Sequence, residues 1–224
     1  MSDTIERRLF LINDKIKKAC ELYEQEVSRV NLIAVSKTIS SEKIYDAINA
    51  GCKIFGENYI KEAKEKWPEI RAKNHKIKLH LIGHLQSNKA AEAVELFDCI
   101  QTLDSKKLAM ILKKEIQKQQ KNPEIFIQVN IGEEAQKAGI SPREVADFVK
   151  FSRDECGLNV IGLMSVPPAN KLASPYFVLL AKLAKENDLK NLSMGMSSDF
   201  VEAVATGSTH VRIGTAIFGE RKNQ

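Results

Sequence analysis

No apolar run in this 224-residue chain approaches the roughly 18 residues that span a membrane, so no membrane segment is expected. The N-terminal stretch is charged from Asp3, Glu6, Arg7 and Arg8 onward and has no apolar core, so no secretory leader is expected. Cysteine is sparse and scattered at Cys20, Cys52, Cys99 and Cys156, with no CxxC pair. That argues against a zinc knuckle or a thioredoxin-type motif, and leaves reduced thiols in the cytoplasm as the expected state. Neither a Walker A motif nor a dinucleotide fingerprint is present, so a bound nucleotide is not indicated. The lysines are mixed with acids, as in Lys61-Glu62-Ala63-Lys64-Glu65-Lys66, which reads as a solvated helix face. A basic patch with interleaved aromatics is missing, so no nucleic-acid partner is expected. The histidines, His75, His80, His84 and His210, form no helical pair. His80 and His84 are four apart but sit across a strand end, so no metal site is expected.

What is there describes an ordinary globular protein. Apolar residues make up 43% and charged residues 28%, and the formal net charge is +5. A chain of this length can bury roughly 70% of its unfolded surface. A single α/β barrel uses roughly 200–250 residues. One such domain, with an N-terminal helix, would therefore occupy 1–224 and leave no room for a second large one.

Two periodicities alternate. Residues 2–26 carry Ile5, Leu9, Ile12, Ile16, Ala19 and Leu22 at helical spacing. Leu32-Ile33-Ala34-Val35 is then a continuous apolar run, the mark of a strand buried on both faces. Ser40 and Ser41 are N-cap candidates for a helix through about Ala50 that Gly51 ends. Further strands are predicted at 53–55, 79–82, 99–102, 125–131, 159–163, 191–194 and 210–213. Amphipathic segments separate them near 57–73, 87–96, 105–120, 142–153, 172–187 and 198–206. Full βα alternation predicts a parallel sheet covered by helices. An open doubly wound sheet is the alternative, but eight units in about 200 residues favour a closed (β/α)8 TIM barrel.

In a barrel, ligands sit at the C-terminal strand ends, and phosphate often binds the loops after strands seven and eight. Here those loops are Gly195-Met196-Ser197-Ser198-Asp199 and Gly214-Thr215-Ala216-Ile217-Phe218-Gly219. Glycines admit backbone N–H groups to phosphate oxygens, and hydroxyls add donors. Ordinary turns use the same residues, and Asp199 and Glu202 would have to point away from an anion. Lys37 ends the first strand. Over an apolar barrel top, lost solvation favours its free amine, which can form a Schiff base with an aldehyde; snorkelling into solvent is the bland reading. Pyridoxal phosphate carries both an aldehyde and a phosphate. Arg212, between Val211 and Ile213, would reach a ligand ring or form a structural ion pair. Asn58, after Phe55-Gly56-Glu57, would hydrogen-bond a ligand, or Glu57 and Asn58 would start the next helix. His84, after Gly83, is a further candidate for the barrel mouth.

Several segments in register are similar to the YggS/PROSC family of pyridoxal-phosphate-binding proteins. They include Leu32-Ile33-Ala34-Val35-Ser36-Lys37-Thr38, Phe55-Gly56-Glu57-Asn58-Tyr59 and His80-Leu81-Ile82-Gly83-His84-Leu85-Gln86-Ser87-Asn88-Lys89. Gly162-Leu163-Met164, Leu192-Ser193-Met194-Gly195-Met196-Ser197 and Val211-Arg212-Ile213-Gly214-Thr215-Ala216-Ile217-Phe218-Gly219 continue the match. A Glu-x-x-Lys-x-Gly segment is recognisable at Glu134, Lys137 and Gly139, with Gln136 where serine is common. The resemblance implies the barrel of the alanine racemase N-terminal domain. It implies pyridoxal phosphate held as a Schiff base on Lys37, with Ser197, Gly214 and Thr215 at the phosphate and Ser198 secondary. Arg212 would face the pyridine nitrogen, and Asn58 the 3-hydroxyl side. An arginine there would keep the nitrogen unprotonated and weaken the ring as an electron sink.

The function implied is intracellular homeostasis of this vitamin B6 cofactor by a monomer that buffers it or delivers it to apo-enzymes, without a catalytic activity of its own. The alternative is a racemase-like enzyme acting on an amino acid, which needs acid/base groups on opposite faces. In alanine racemase the opposing tyrosine comes from a second domain of the neighbouring subunit. No segment here corresponds to that domain, and Tyr23, Tyr45, Tyr59 and Tyr176 are not obvious substitutes, although Tyr59 lies near a strand end. A third reading is a barrel enzyme whose Lys37 forms a Schiff base with a phosphorylated metabolite.

Overall fold

The computed structural model describes residues 4–220. Eight strands form: β1 (Asn31–Val35), β2 (Ile54–Glu57), β3 (Lys78–Leu81), β4 (Cys99–Leu103), β5 (Glu124–Val129), β6 (Val160–Ser165), β7 (Asn191–Ser193) and β8 (His210–Ile213). They are parallel and close in sequence order into a barrel. The closing pair sets Asn31 beside His210 and Ala34 beside Ile213. Helices α2 (Ser41–Asn49), α3 (Ile60–Lys73), α4 (Ala90–Leu96), α5 (Lys106–Gln119), α6 (Val145–Lys150), α7 (Ser174–Glu186) and α8 (Phe200–Ala205) lie between successive strands. α1 (Ile5–Leu22) precedes the barrel and α9 (Thr215–Phe218) follows it.

α1 buries Leu9, Ile12, Ile16 and Ala19 on one face and packs against α8, α9 and α2. Thr4 Oγ1 caps it by accepting from the Arg7 N–H. The helix stops four residues short of the predicted end because Glu24 takes φ +53°, which no right-handed helix contains. Residues 2 and 3 of the predicted span lie outside the described residues. Ser40 occupies the N-cap of α2, but its side chain makes no capping hydrogen bond. Gly51, at φ +97°, ends that helix as expected. The span predicted as one helix at 142–153 is divided. A 3-10 turn, Pro142–Glu144, with a Ser141/Glu144 capping box leads into α6, and a π turn, Phe151–Glu155, follows.

Two packing zones result. The larger lies between the strands and the helices and holds Trp67, Phe55, Leu79 and Phe177. The smaller lies inside the barrel, where Cys99, Phe126 and Met164 meet. Phe126 on β5 touches the His210 ring on β8, with centroids 5.2 Å apart. These strands are not neighbours, so the contact crosses the interior.

Gly162 on β6 is fixed by close approach. A Cβ there would lie 2.3 Å from the Asn191 carbonyl oxygen and 2.7 Å from Phe126 Cε1. Gly162→Ala is expected to force β6 from β7 and to destabilise the fold by about 1–3 kcal/mol. Urea unfolding should show a lower midpoint with an unchanged slope.

Candidate functional site at the barrel mouth

The C-terminal strand ends surround a cavity of about 460 Å³. Lys37, Asn58, Ser197, Arg212, Gly214 and Thr215 all line it, as does Ser198. Val35, Ile82, Val166 and Met196 supply its apolar wall. Residues from β1, β2, β6, β7 and β8, or from the loops after them, therefore converge on one space.

Arg212 enters from the last strand and is buried. Its Nη1 donates to Ser193 Oγ at 2.6 Å and its Nη2 to the Ser165 carbonyl at 2.8 Å. Both partners are neutral. The structural ion pair considered from sequence is absent among the described residues. Burial pulls the guanidinium down to about 10, against the opposing pull of Asp199, so it stays cationic at neutral pH. Ser193 Oγ in turn donates to Gln101 Oε1 at 2.6 Å, and Gln101 Nε2 lies 3.0 Å from His80 Nδ1. A buried polar line thus runs from the mouth into the barrel.

The loops after β7 and β8 meet. Thr215 Oγ1 donates to Ser197 Oγ at 3.2 Å, and the Ala216 N–H points to the same oxygen at 3.4 Å. Gly195 takes φ +91°, and a Cβ there would strike Ala203 Cβ at 2.5 Å, so only glycine makes that turn. Gly214 is different. Its φ is −115° and the nearest neighbour a Cβ would meet is Val35 at 3.4 Å, so neither backbone nor packing demands glycine. Asp199 Oδ1 accepts from the Met196 N–H, which turns the carboxylate onto its own loop, and Glu202 is exposed on α8. Neither acid lines the cavity.

Lys37 is half-buried, and the backbone on both sides of it is clamped. Glu57 belongs to β2 and is fully buried, so it does not start the next helix. Its Oε1 accepts from Ser36 Oγ at 2.8 Å and Trp67 Nε1 at 3.0 Å, and pairs with Lys66 Nζ at 2.9 Å. Lys66 also donates to the Ser36 carbonyl at 3.0 Å and to Glu62 at 2.7 Å. Glu62 accepts from the Thr38 N–H. Asn58 follows β2 and keeps a buried Oδ1 without a partner. Gly83 seats it, since a Cβ there would lie 2.2 Å from the Asn58 carbonyl oxygen.

The remaining candidates stand nearby without lining this cavity. Tyr59 and His84 share an adjoining groove with Asn58, and His84 Nδ1 lies 3.4 Å from Asp104 Oδ2. Burial raises the Asp104 carboxyl, against the stabilising charge of His84. Glu134 and Lys137 form an ion pair, and Lys137 also donates to the Pro167 carbonyl at 3.1 Å. This segment ties the loop after β5 to the loop after β6. Gly139, at φ +119°, sits 2.5 Å for a built Cβ from the Asn130 nitrogen.

Sequence reasoning missed Ser165, Ser193 and Gln101 behind Arg212, and Glu57 and Lys66 behind Lys37. The signal for Ser165, Ser193, Gln101 and Glu57 was polarity inside strands, where a buried polar group needs a partner, whereas Lys66 on α3 carried none.

The chain matches the family model of the alanine racemase N-terminal domain over residues 13–222. It is 41% identical to the pyridoxal phosphate homeostasis protein of Pasteurella multocida, covering 97% of this chain and 98% of that one. PipY of Synechococcus elongatus, solved with PLP bound, superposes with a TM-score of 0.79 at 34% identity, covering 92% of this chain and all (100%) of that one. Alanine racemase of Corynebacterium glutamicum shares the fold, with a TM-score of 0.71 at 14% identity, and this chain covers 61% of it. The closed parallel barrel and the full-length likeness to these relatives agree, and the chain belongs to the pyridoxal phosphate homeostasis protein family, within the alanine racemase N-terminal domain family.

Proposed function

We propose that this chain holds pyridoxal phosphate at the barrel mouth as a Schiff base on Lys37, and buffers it in the cytoplasm or delivers it to apo-enzymes. The observation that carries the reading is the cavity wall itself. Lys37, the Ser197–Thr215 hydroxyl pair and Arg212 share one space of about 460 Å³, within the roughly 300–1,000 Å³ of small-molecule sites. All of these residues come from one chain, so a monomer suffices.

The residues fit the cofactor group by group. Ser197, Thr215 and the unencumbered Gly214 offer hydroxyls and close backbone approach to a phosphate. The unpartnered Asn58 Oδ1 is an acceptor for a ring hydroxyl. Arg212, already cationic and held by Ser193 and Ser165, suits a pyridine nitrogen that stays unprotonated. The cofactor supplies an aldehyde for reversible imine chemistry, and strong carbanion stabilisation needs a protonated ring. Among the described residues on the cavity wall, Lys37 and Arg212 are the titratable side chains. A racemase needs a second acid/base facing Lys37, and none of the tyrosines lines the wall.

The wild-type protein reconstituted with pyridoxal phosphate is expected to show the yellow Schiff-base absorbance and a covalent adduct after borohydride reduction. Lys37→Ala should lose both, and a colourless wild type would sink the reading. Incubation of the loaded protein with single L-amino acids should give no D form above the rate of free cofactor. Ser197→Ala with Thr215→Ala should weaken cofactor retention tenfold or more, since hydrogen bonds to a charged group contribute about 1.5–3 kcal/mol each. Unchanged retention would place the phosphate elsewhere.

The clamp makes a separate forecast. Lys66→Met leaves Glu57 buried without its cation and should cost about 3–5 kcal/mol of stability. It should also slow Schiff-base formation at saturating cofactor, while Lys66→Arg restores much of both. Stopped-flow absorbance beside urea unfolding separates the two effects.

A further inference from the structure

At the opposite end of the barrel, the strand register sets three potential ligands side by side. His80 on β3 pairs with Cys99 on β4, and Cys99 pairs with Glu124 on β5. Cys99 and Glu124 are the first residues of their strands, so the group lies at the N-terminal floor. Two contacts show that it faces inward. His80 meets the ring of His210, on a non-neighbouring strand, with centroids 6.1 Å apart. Cys99 packs against Phe126 and Met164.

We propose that His80, Cys99 and Glu124 bind one transition-metal ion of the zinc class at the floor of the barrel. A ligand nitrogen, sulfur and oxygen from the three residues all lie within 4.8 Å of one another. Bonds of about 2.0–2.3 Å draw ligands closer than that, and Glu124, half-buried at the rim, has room to move in. An independent feature points to a ligand: His80 is buried, and its Nε2 has no hydrogen-bond partner. A buried polar atom left unpaired costs free energy that a metal bond would recover. Imidazole, thiolate and carboxylate together suit zinc or cobalt better than magnesium or calcium.

The surroundings are consistent with that use. Cys99 is a buried free thiol, so coordination must expel its proton to solvent as the sulfur–metal bond forms. The other ring nitrogen of His80 lies against Gln101, the outer support that metal-bound histidines take. Coordination through Nε2 puts the ring proton on Nδ1, so the Gln101 amide must flip, offering its oxygen to His80 and its NH2 to Ser193 Oγ in place of the bond that Ser193 now donates. Three protein ligands leave a fourth position for water from the rim. Lys78, exposed at the start of β3 two residues before His80, sets a cation near the group that opposes a metal's charge.

The test uses the full chain, stripped with chelator and free of cofactor, titrated with Co2+ and then with Zn2+. One Co2+ per chain is expected, with a thiolate-to-cobalt charge-transfer band that Zn2+ abolishes. Cys99→Ala should remove the band, Glu124→Gln should weaken binding tenfold or more, and Lys78→Met should tighten it. Glu124 and Lys78 lie at the rim, so those two variants report even if the buried cysteine variant does not fold. Absence of stoichiometric binding, a band that survives Cys99→Ala, or indifference to both rim variants would overturn the proposal.

Discussion

The carboxylate of Glu57 is fully buried, yet three side chains turn toward the same oxygen. Taking such an ion out of water costs several kcal/mol, and only good geometry offsets it. Here the geometry joins β1, β2 and α3 at one point. Lys66, the cation paired with Glu57 Oε1, spends its remaining donors on the Ser36 carbonyl and on Glu62, while Glu57 Oε2 stays buried without a hydrogen-bond partner. The loop that carries Lys37 is therefore held by an ion pair it does not itself contain. Thr38 sits at φ +62°, a conformation that costs a β-branched residue about 1–3 kcal/mol. The hydrogen bond from its N–H to Glu62 helps hold that position. These contacts favour one placement for the backbone around Lys37.

Arg212 poses the opposite problem, a buried cation with no carboxylate in contact among the described residues. Its partners are a serine hydroxyl and a serine carbonyl, oriented dipoles in place of a counter-ion. Such an arrangement keeps the guanidinium's field from being cancelled locally. Whatever lies in the cavity beside Arg212 feels a positive charge that no contacting carboxylate neutralises and that Asp199 offsets only from a distance. The serine is held in turn by Gln101, which is held against His80, so the position of Arg212 depends on polar residues from β3, β4 and β7.

The barrel was legible because its signal is redundant. Eight short strand-like segments alternate with amphipathic ones, and an error of two residues at an edge changes no strand's identity. Edges failed where a single backbone torsion decides, as at Glu24 after α1, or where a helix changes its pitch, as at Phe151–Glu155. The cavity residues were legible because barrel topology dictates where strand ends point, so that Lys37 and the loops with Ser197 and Thr215 must share a rim. Their supports were not. Glu57 and Lys66 are nine residues apart, on a strand and a helix, and a charged residue in either place reads as solvated until packing shows otherwise. Ser193, Gln101 and His80 come from three strands and meet only when the barrel closes. His80, Cys99 and Glu124 at the floor are likewise neighbours by register and not by sequence.

The chemistry available at the mouth follows from what the wall omits. Proton abstraction from a substrate carbon needs a base on one face, an acid on the other and a sink for the electrons. The wall offers one amine, one permanent cation and hydroxyl or amide groups that do not titrate near neutrality. A guanidinium with no carboxylate in contact opposes protonation of any heterocyclic nitrogen beside it, so a pyridine ring placed there would lose its strongest electron-withdrawing form. Reversible imine exchange makes no such demand. It needs an amine and water, together with a phosphate grip that outlasts the exchange. Lys37 and the Ser197–Thr215 hydroxyls on the wall are the groups that such an exchange requires.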